Sequence, residues 1–441
     1  MNRPPLPRGT AYAVLAALAA VVIIISTAIF LGTGGRDGRA ATGSHENHGS
    51  AEPAATGQWV GSWATAPAAA EPNTAGGYAG MSIRNVVHTS IGGTGARIQL
   101  SNLYGTTPLA VTHASLAVAA APGSPAAAPG SMQRLTFAGQ PTATVPAGGS
   151  LLSDPVRMVV PAAADLLVTT YSPTPSGPVT YHPHARQTSF VAKGDHTEEP
   201  LGTAYTTKTP YWRYVSAVDV WTQEAHGAVV ALGDSITDGV TATAGSNHRW
   251  TDFLAARLRT EPGAPRYGVL NEGISGNRIL LSNAPSPTAN NLSGVSRFER
   301  DVLGRTGARV VVIALGVNDI LRKPQVDNPQ QIIDGLRSMV RRAHERGLRV
   351  VGSTLMPFKG HKGVVERQEV TRQGVNQIIR SGGVFDSVVD FDRTLRDPAV
   401  PERLLPAYDS GDHLHPSDAG YEAMARTLDL EALKGEAAAA L

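Results

Sequence analysis

Four short segments in the C-terminal half of the chain carry the side chains that hydrolytic chemistry needs. The first contains Ser235 in the heptapeptide GDSITDG, which follows an apolar run and begins with a glycine able to adopt unusual backbone angles. A hydroxyl at the carboxyl end of a strand can face a substrate. An ordinary turn serine that caps the next helix is the alternative interpretation of this segment taken alone.

Asp412 and His415 lie near the C-terminus in the segment DHLHP. Serine is a weak nucleophile until a base takes its proton, and imidazole suits that step because its unperturbed pKa is about 6.5. A carboxylate three residues before the histidine can hold the ring in the correct tautomer. A metal site built from Asp412, His413 and His415 is the competing interpretation, but no further ligand follows nearby, and we expect no metal.

Two other segments contain groups that can stabilise a developing negative charge. Gly276 in GISGN can direct a backbone N–H at a ligand, and Asn318 in GVND can donate from its side-chain amide. Taken singly, the first segment is also typical of a turn and the second of a helix cap. Asn277 and Arg278 are further candidates for substrate binding, although Arg278 equally fits a surface ion pair.

The elements that must position these groups alternate between apolar strand-like runs and helical stretches. This pattern predicts a parallel sheet covered by helices on both faces, with ligands at the carboxyl ends of its strands. All four segments lie at such ends or just after the last strand, which favours one shared site. The predicted strands lie at 228–232, 267–270, 310–315, 348–355 and 388–391, and the predicted helices at 250–258, 294–303, 330–346, 368–380 and 417–428.

Taken together, the segments GDSITDG, GISGN, GVND and DHLH resemble the four blocks of the SGNH hydrolases in the GDSL esterase/lipase superfamily. The resemblance implies an α/β fold, a flavodoxin-like three-layer α/β/α domain with a mostly parallel five-stranded sheet. It also implies a triad of Ser235, Asp412 and His415, and an oxyanion hole formed by the N–H groups of Ser235 and Gly276 and the amide of Asn318. The GxSxG motif of α/β-hydrolases does not occur in the chain.

The function that this resemblance implies is a serine esterase that forms an acyl-enzyme on Ser235 and needs no cofactor. The subfamily looks like secreted bacterial carbohydrate acetylesterases and arylesterases, so the expected substrate is a short-chain ester, such as an acetylated carbohydrate or an aryl ester. A lipase or thioesterase acting on longer acyl chains is the alternative. A non-catalytic cell-wall binding protein is the third hypothesis, and the complete set of blocks argues against it. The oligomeric state stays open.

The N-terminal residues 1–35 contain a long apolar run preceded by Arg3 and Arg8. A helix of about 20 apolar residues can span a bilayer, and the preceding positive charge favours a cytoplasmic N-terminus. Small residues at 38–41 equally fit the cleavage site of a signal peptide. We therefore expect a signal peptide or a membrane anchor, and an enzyme that is extracellular or held on the outer face of the cytoplasmic membrane.

Composition divides the remainder into three segments. Residues 36–57 are poor in large apolar groups and are predicted to be a flexible spacer. Residues 58–222 contain short β-type runs separated by turns, which predicts a β-sandwich-like accessory domain before the catalytic domain at 223–441.

A formal net charge of +2 argues against nucleic acid as a partner, and the absence of cysteine excludes disulfides and a thiol nucleophile.

Several other residues have both a functional and a structural interpretation. The histidines of the HPH segment, His182 and His184, are expected in an exposed loop rather than at a metal. Asp234 and Asp319 are expected to be structural hydrogen-bonding groups. Packing in the core or between domains, rather than stacking on sugar rings, is expected of Trp59, Trp63, Trp212 and Trp221.

Overall fold

The computed structural model describes residues 57–282 and 291–435. The predicted signal peptide or anchor at 1–35, and the predicted spacer up to residue 56, lie outside these residues. The location outside the cytoplasm therefore stays a prediction. Within the described ranges, we find no helix with the length and apolar character needed to cross a bilayer.

The β-rich half consists of antiparallel strands. Short β-type runs and frequent turns account for their small size. The strands are β1 (Gln58–Ala64), β2 (Ala69–Ala70), β3 (Met81–His88), β4 (Gly93–Ser101), β5 (Leu109–Val111), β6 (His113–Val118), β7 (Gln133–Arg134), β8 (Ala143–Val145), β9 (Ser150–Leu152), β10 (Val156–Val160), β11 (Asp165–Ser172), β12 (Thr180–His182), β13 (Ser189–Lys193), β14 (Thr207–Thr209), β15 (Trp212–Arg213) and β16 (Val215–Thr222).

Two sheets of this half contribute to one hydrophobic core. One sheet has the order β1-β16-β4-β10 with β9 beside β4, and the other has the order β14-β13-β3-β11-β6-β7. Leu166 and Val168 of β11 share a buried cluster with Ile98 of β4, whereas Leu167 between them belongs to a smaller cluster. This alternation is the period of two expected of a strand, and it agrees with the predicted sandwich-like architecture.

The second half alternates strands with helices, as the sequence predicts. Its strands are β17 (Gly227–Gly233), β18 (Tyr267–Gly273), β19 (Ala308–Ala314), β20 (Arg349–Ser353) and β21 (Ser387–Val389). Its helices are α1 (Ser235–Asp238), α2 (Trp250–Thr260), α3 (Gly294–Phe298) with a π-helical continuation at Glu299–Leu303, α4 (Val317–Leu321), α5 (Pro329–His344), α6 (Glu366–Ser381), α7 (Phe391–Leu395), α8 (Asp418–Thr427) and a 3₁₀ turn at Leu430–Leu433.

The five strands of this half form a parallel sheet of order β18-β17-β19-β20-β21. Numbered within the half, this is the order 2-1-3-4-5 of flavodoxin-like folds. Every residue of β17 is buried, because an interior strand of a parallel sheet is covered on both faces. The predicted α/β class and the five-stranded sheet are confirmed.

The hydrophobic core continues from the β-rich half into the α/β half. The N–H of Gly61 in β1 donates to Thr306 O at 3.0 Å, and a Cβ on Gly268 of β18 would lie only 2.2 Å from Gly61 O. Glycine alone permits so close a backbone approach. Trp63 and Trp212 are buried edge to face at 5.0 Å, as their predicted packing role requires. The described residues form one compact unit, so the boundary near residue 222 stays a prediction.

Candidate active site

Parallel pairing brings three loops to the same edge of the sheet. Gly233 at the end of β17 is level with Gly273 at the end of β18 and with the last residue of β19. The chain leaves these strands side by side, and the loops that follow carry Ser235, Gly276 and Asn318. Ligands of open α/β sheets bind at this edge.

Ser235 is the first residue of the short helix α1, immediately after β17. Asp234 caps the helix, because its side-chain oxygen accepts the N–H of Ile236 at 3.0 Å. A Cβ on Gly233 would lie 2.1 Å from Oγ1 of Thr237, so the tight turn between strand and helix requires glycine. The turn places the Ser235 hydroxyl at the sheet edge.

Ser235, His415 and Asp412 form one chain of hydrogen bonds. Oγ of Ser235 lies 2.8 Å from Nε2 of His415, and Nδ1 of the same ring lies 2.5 Å from Oδ2 of Asp412. An ionised Asp412 accepts a hydrogen bond from the Nδ1–H of His415, which leaves Nε2 to accept the proton of the serine hydroxyl. The contacts therefore have the geometry that proton transfer from Ser235 requires.

The surroundings of Asp412 keep its carboxylate ionised. Burial alone would raise the pKa of this acid, but hydrogen bonds from the His415 ring and from the backbone N–H groups of His415 and Leu414 lower the pKa to about 2. Those backbone donors lie 2.8 and 2.9 Å from Oδ1. The carboxylate is therefore charged throughout the pH range in which an imidazole acts as a base.

The side chain of Asn318 holds an unused donor. It is 6% exposed, and its Nδ2 has no hydrogen-bond partner among the described residues, whereas Oδ1 accepts from Nε of Arg322 at 3.1 Å. A buried donor without a partner costs about 1–3 kcal/mol, so its presence indicates a role for a ligand. Gly276 has φ of 74°, and a Cβ there would lie 2.5 Å from the Arg322 guanidinium.

These groups line one open cleft of about 350 Å³. Ser235, Gly276, Asn318 and His415 lie on its wall, together with His184 from the β-rich half. Asp412 lies behind the imidazole ring. The other lining residues are Val240, Ser275, Leu321, Arg322, His361, Lys362, Gly363, Val364, Gln368 and Leu414.

Asn277 and Arg278 do not line the cleft, contrary to the expectation that they bind substrate. Asn277 is 1% exposed, donates to Leu292 O at 2.7 Å and accepts from Arg297 at 3.0 Å. Arg278 is 3% exposed and donates to Pro324 O at 2.5 Å. The turn after Gly276 directs both side chains into the protein, so they are structural and are not part of the site that we propose.

The HPH segment is not an exposed loop, and that expectation is wrong. His182 ends β12 and is 2% exposed, with Nε2 2.9 Å from Oδ1 of Asp238. His184 is half-buried in the cleft wall, where burial lowers the pKa of its imidazole. Neither contribution can be predicted from the sequence, because both depend on contacts between residues far apart in the chain. The described part of the chain contains no cluster of three or more ionisable side chains suited to a metal ion.

Residues 231–423 match the model of the GDSL-like lipase/acylhydrolase family. The matched range contains Ser235, Gly276, Asn318, Asp412 and His415, and it includes the whole parallel sheet except its first residues. The α/β half of the chain therefore matches the GDSL-like lipase/acylhydrolases. This match indicates that the protein is a carboxylic ester hydrolase.

Solved structures of similar proteins cover a little under half of this chain. A GDSL-like lipase from Bacteroides thetaiotaomicron VPI-5482 is 19% identical over 46% of this chain and 85% of its own, with a TM-score of 0.34. A carbohydrate acetylesterase from Sinorhizobium meliloti is 18% identical over 45% and 94%, with a TM-score of 0.34. At this similarity the substrates of those proteins do not transfer to this chain. Comparison with proteins of curated function gave no significant match.

The stability of the turn that carries Ser235 is expected to depend on pH through Asp234. Burial raises the pKa of this carboxyl to about 7 from an ordinary 3.8, so the folded protein binds the proton more tightly than the unfolded chain does. Its contribution to stability is present below about pH 4 and is lost as the pH rises through about 7. Asp234→Asn retains a side-chain oxygen that can accept the Ile236 N–H, and its amide does not titrate in this pH range.

We therefore expect the Tm of the Asp234→Asn variant to rise relative to wild type between about pH 5 and about pH 8. Thermal unfolding followed by circular dichroism measures this difference. The exposed Asp334 provides the control. The difference in Tm between Asp334→Asn and wild type should not change with pH. Parallel pH profiles of wild type and Asp234→Asn would contradict the prediction.

Proposed function

We propose that this protein is a serine esterase that hydrolyses short-chain carboxylic esters through an acyl-enzyme on Ser235. The observation that carries the proposal is the hydrogen-bond chain from Ser235 through His415 to Asp412 at the wall of an open cleft. The match to an acylhydrolase family supports the reaction class, and the contacts support the roles of the three residues.

In the first step Oγ of Ser235 attacks the ester carbonyl carbon while Nε2 of His415 takes the hydroxyl proton. The tetrahedral intermediate collapses, the bond to the leaving oxygen breaks, and His415 returns the proton to the departing alcohol. A water molecule then attacks the acyl-enzyme with His415 as the base, which releases the acid and restores Ser235. Asp412 holds the ring tautomer and stabilises the imidazolium throughout.

The negative charge of the tetrahedral intermediate is stabilised by donors already in place. The backbone N–H groups of Ser235 and Gly276 and the Nδ2 of Asn318 are the proposed oxyanion donors. Arg322 positions the third donor, because its Nε donates to Oδ1 of Asn318 and so leaves the NH₂ group for the cleft. A preorganised donor needs no reorientation when charge develops, and this lowers the barrier.

The lining of the cleft supports a small acyl group, such as acetyl on a carbohydrate or an aryl ester. Its apolar side chains are few and stand among polar and charged ones, whereas a long acyl chain would require an extended apolar groove. A lipase or thioesterase acting on longer chains is the alternative. A non-catalytic cell-wall binding protein is a third hypothesis, and the family match argues against it.

Ser235→Ala is expected to abolish ester hydrolysis without unfolding the protein, because it removes only the attacking oxygen. The measurement is kcat/KM on p-nitrophenyl acetate, butyrate and octanoate for wild type and variant, with circular dichroism to verify the fold. Acetate should be the best substrate. Octanoate as the best substrate would favour the lipase alternative, and equal activity of wild type and variant would exclude the proposed nucleophile.

Asn318→Ala is expected to lower kcat about a hundredfold to a thousandfold with little change in Tm, because its NH₂ group has no partner in the described protein. Asn376 is the matched control, a buried amide bonded to Leu355 N and O at 2.7 and 2.8 Å. Asn376→Ala should lower Tm and leave kcat per folded molecule unchanged. Similar kcat values for Asn318→Ala and wild type would contradict the proposed oxyanion hole.

The cleft wall also carries positive side chains and no carboxylate. Arg322 and Lys362 are exposed on it, and neither forms an ion pair within the described ranges. A concave surface lined by one sign of charge concentrates ligands of the opposite sign. We therefore expect the enzyme to favour esters that carry a negative charge.

The test compares 4-acetoxybenzoate with its methyl ester, two acetates that differ by one charge, by following release of the phenol. The two leaving groups differ in reactivity, so the ratio of kcat/KM for the anionic ester to kcat/KM for the neutral ester is not informative by itself. The informative quantity is the change in this ratio on mutation or on addition of salt. Lys362→Gln and added salt should each lower the ratio of anion to neutral ester about twofold or more. Lys208 is an exposed lysine on β14, and Lys208→Gln should leave this ratio unchanged. A ratio insensitive to both Lys362→Gln and salt would contradict the prediction.

A further inference from the structure

The β-rich half contacts the proposed active site through a buried histidine. His182, at the end of β12, lies between two acceptors: its Nδ1 is 2.9 Å from Ala66 O, and its Nε2 is 2.9 Å from Oδ1 of Asp238. Both side chains of the pair are almost fully buried, with 3% and 2% exposure. Asp238 is the last residue of α1, three residues after Ser235.

The hydrogen-bond partners of His182 define where its protons lie. A carbonyl oxygen only accepts, so Nδ1 carries a proton and donates it to Ala66 O. Nε2 then either donates to an ionised Asp238 or accepts from a protonated one. The other oxygen of Asp238 accepts both the N–H and the hydroxyl of Ser275, at 3.0 and 2.7 Å, which favours the ionised carboxylate. Asp238 is thus held by both the His182 ring and Ser275.

Through Asp238 this pair reaches the turn that carries the proposed oxyanion glycine. Ser275, held at both its N–H and its hydroxyl, immediately precedes Gly276. The preceding residue, Ile274, is buried against Ala66 and Ala68 of the β-rich half. The same turn is therefore fixed on one side by apolar packing and on the other by the carboxylate.

The chain after His182 continues along the same boundary into the cleft. His184 lines the cleft wall, and Nε of Arg186 donates to Ala242 O at 2.8 Å. From the other half, Nε of Arg249 donates to Asp238 O at 3.0 Å. Displacement of His182 would therefore affect both the wall of the cleft and the turn that carries Gly276.

We propose that the β-rich half is an integral part of the active site, and that His182 is a positioning residue that fixes, through Asp238 and Ser275, the N–H of Gly276 relative to Ser235. The proposal rests on the proposed function, since it assigns to the buried pair of His182 and Asp238 a role in the geometry of the oxyanion hole. A misplacement of about 1 Å in an active site can cost about a hundredfold in rate.

A second pair of a histidine and an aspartate, which lies wholly within the α/β half, provides the structural comparison. Nε2 of His344 lies 3.0 Å from Oδ2 of Asp386, and that carboxylate also accepts a backbone N–H, from Val350 at 2.7 Å. The pair resembles His182 and Asp238 in chemistry and in being largely buried, with 17% and 5% exposure, but none of its residues lines the cleft. His344→Phe therefore measures what loss of such a pair costs in stability alone.

The experiment compares the full chain carrying His182→Phe with His344→Phe, each retaining a ring and losing both ring nitrogens. Reactive Ser235 is counted with a fluorophosphonate probe, and kcat and KM for p-nitrophenyl acetate are measured per counted site, with Tm alongside. We expect both variants to lose Tm. His182→Phe alone should lose kcat, by about tenfold to a hundredfold, with KM changed less than about threefold.

A wild-type kcat per reactive site in His182→Phe would overturn the proposal, because the pair would then be structural only. Failure of the proposed function looks different: the probe would not label Ser235 in the wild-type protein, and no ester would be hydrolysed. The two outcomes are thus distinguished by the wild-type measurement.

If His182→Phe does not fold, Asp238 provides a second test. The amide of Asp238→Asn can accept from Ser275 and donate to Nε2 of a neutral His182, whereas Asp238→Leu has similar volume and neither hydrogen bond. We expect kcat per reactive site to be about tenfold or more higher in Asp238→Asn than in Asp238→Leu. A wild-type kcat in Asp238→Leu would overturn the proposal.

Discussion

The parallel register of β17 with its two neighbours is the constraint on which the cleft depends. With Gly233 level with Gly273, the loops after β17 and β18 begin side by side, and the loop after β19 begins beside them. A slip of one residue would displace a loop by about 3.3 Å and turn its side chains to the opposite face. The contact of 2.8 Å between Ser235 and His415 would not survive such a shift.

Three aspartates surround Ser235, and each is engaged in a way that keeps its charge from opposing an oxyanion. Asp234 caps α1, and its raised pKa reflects burial. Asp238 is hydrogen-bonded to His182. Asp319 accepts two backbone N–H groups at 2.7 and 3.1 Å, in the turn after Gly276. Their hydrogen bonds shape the loops, while the cleft itself is lined by positive and neutral groups.

Much of the α/β half could be predicted from sequence, because its information is local. Continuous apolar runs mark buried parallel strands, and Ser235, Gly276 and Asn318 follow three of them directly. Asn277 and Arg278 were misassigned for the same reason. Adjacency to Gly276 in the chain suggests a place in the pocket, but the direction of a side chain after a turn depends on the partners that the rest of the fold offers.

The contribution of the β-rich half could not be predicted in this way. His182 and Asp238 are 56 positions apart, and nothing in the HPH segment signals which carboxylate it will meet. Burial of this pair depends on the packing of both halves, which no pattern with a period of two or of 3.6 residues encodes. The buried unpaired donor of Asn318 belongs to the same class of information, since only the folded chain shows that nothing else satisfies it.

The core that continues across both halves has an evolutionary consequence. An α/β half moved by recombination into another protein would expose the apolar surface of β18, where β1 now lies against Gly268, and would leave Asp238 without its histidine partner. Such a transfer would require simultaneous polar substitutions on β18 and a new partner for that carboxylate. The two halves are therefore expected to be inherited together, with changes in one tolerated only when they suit the other.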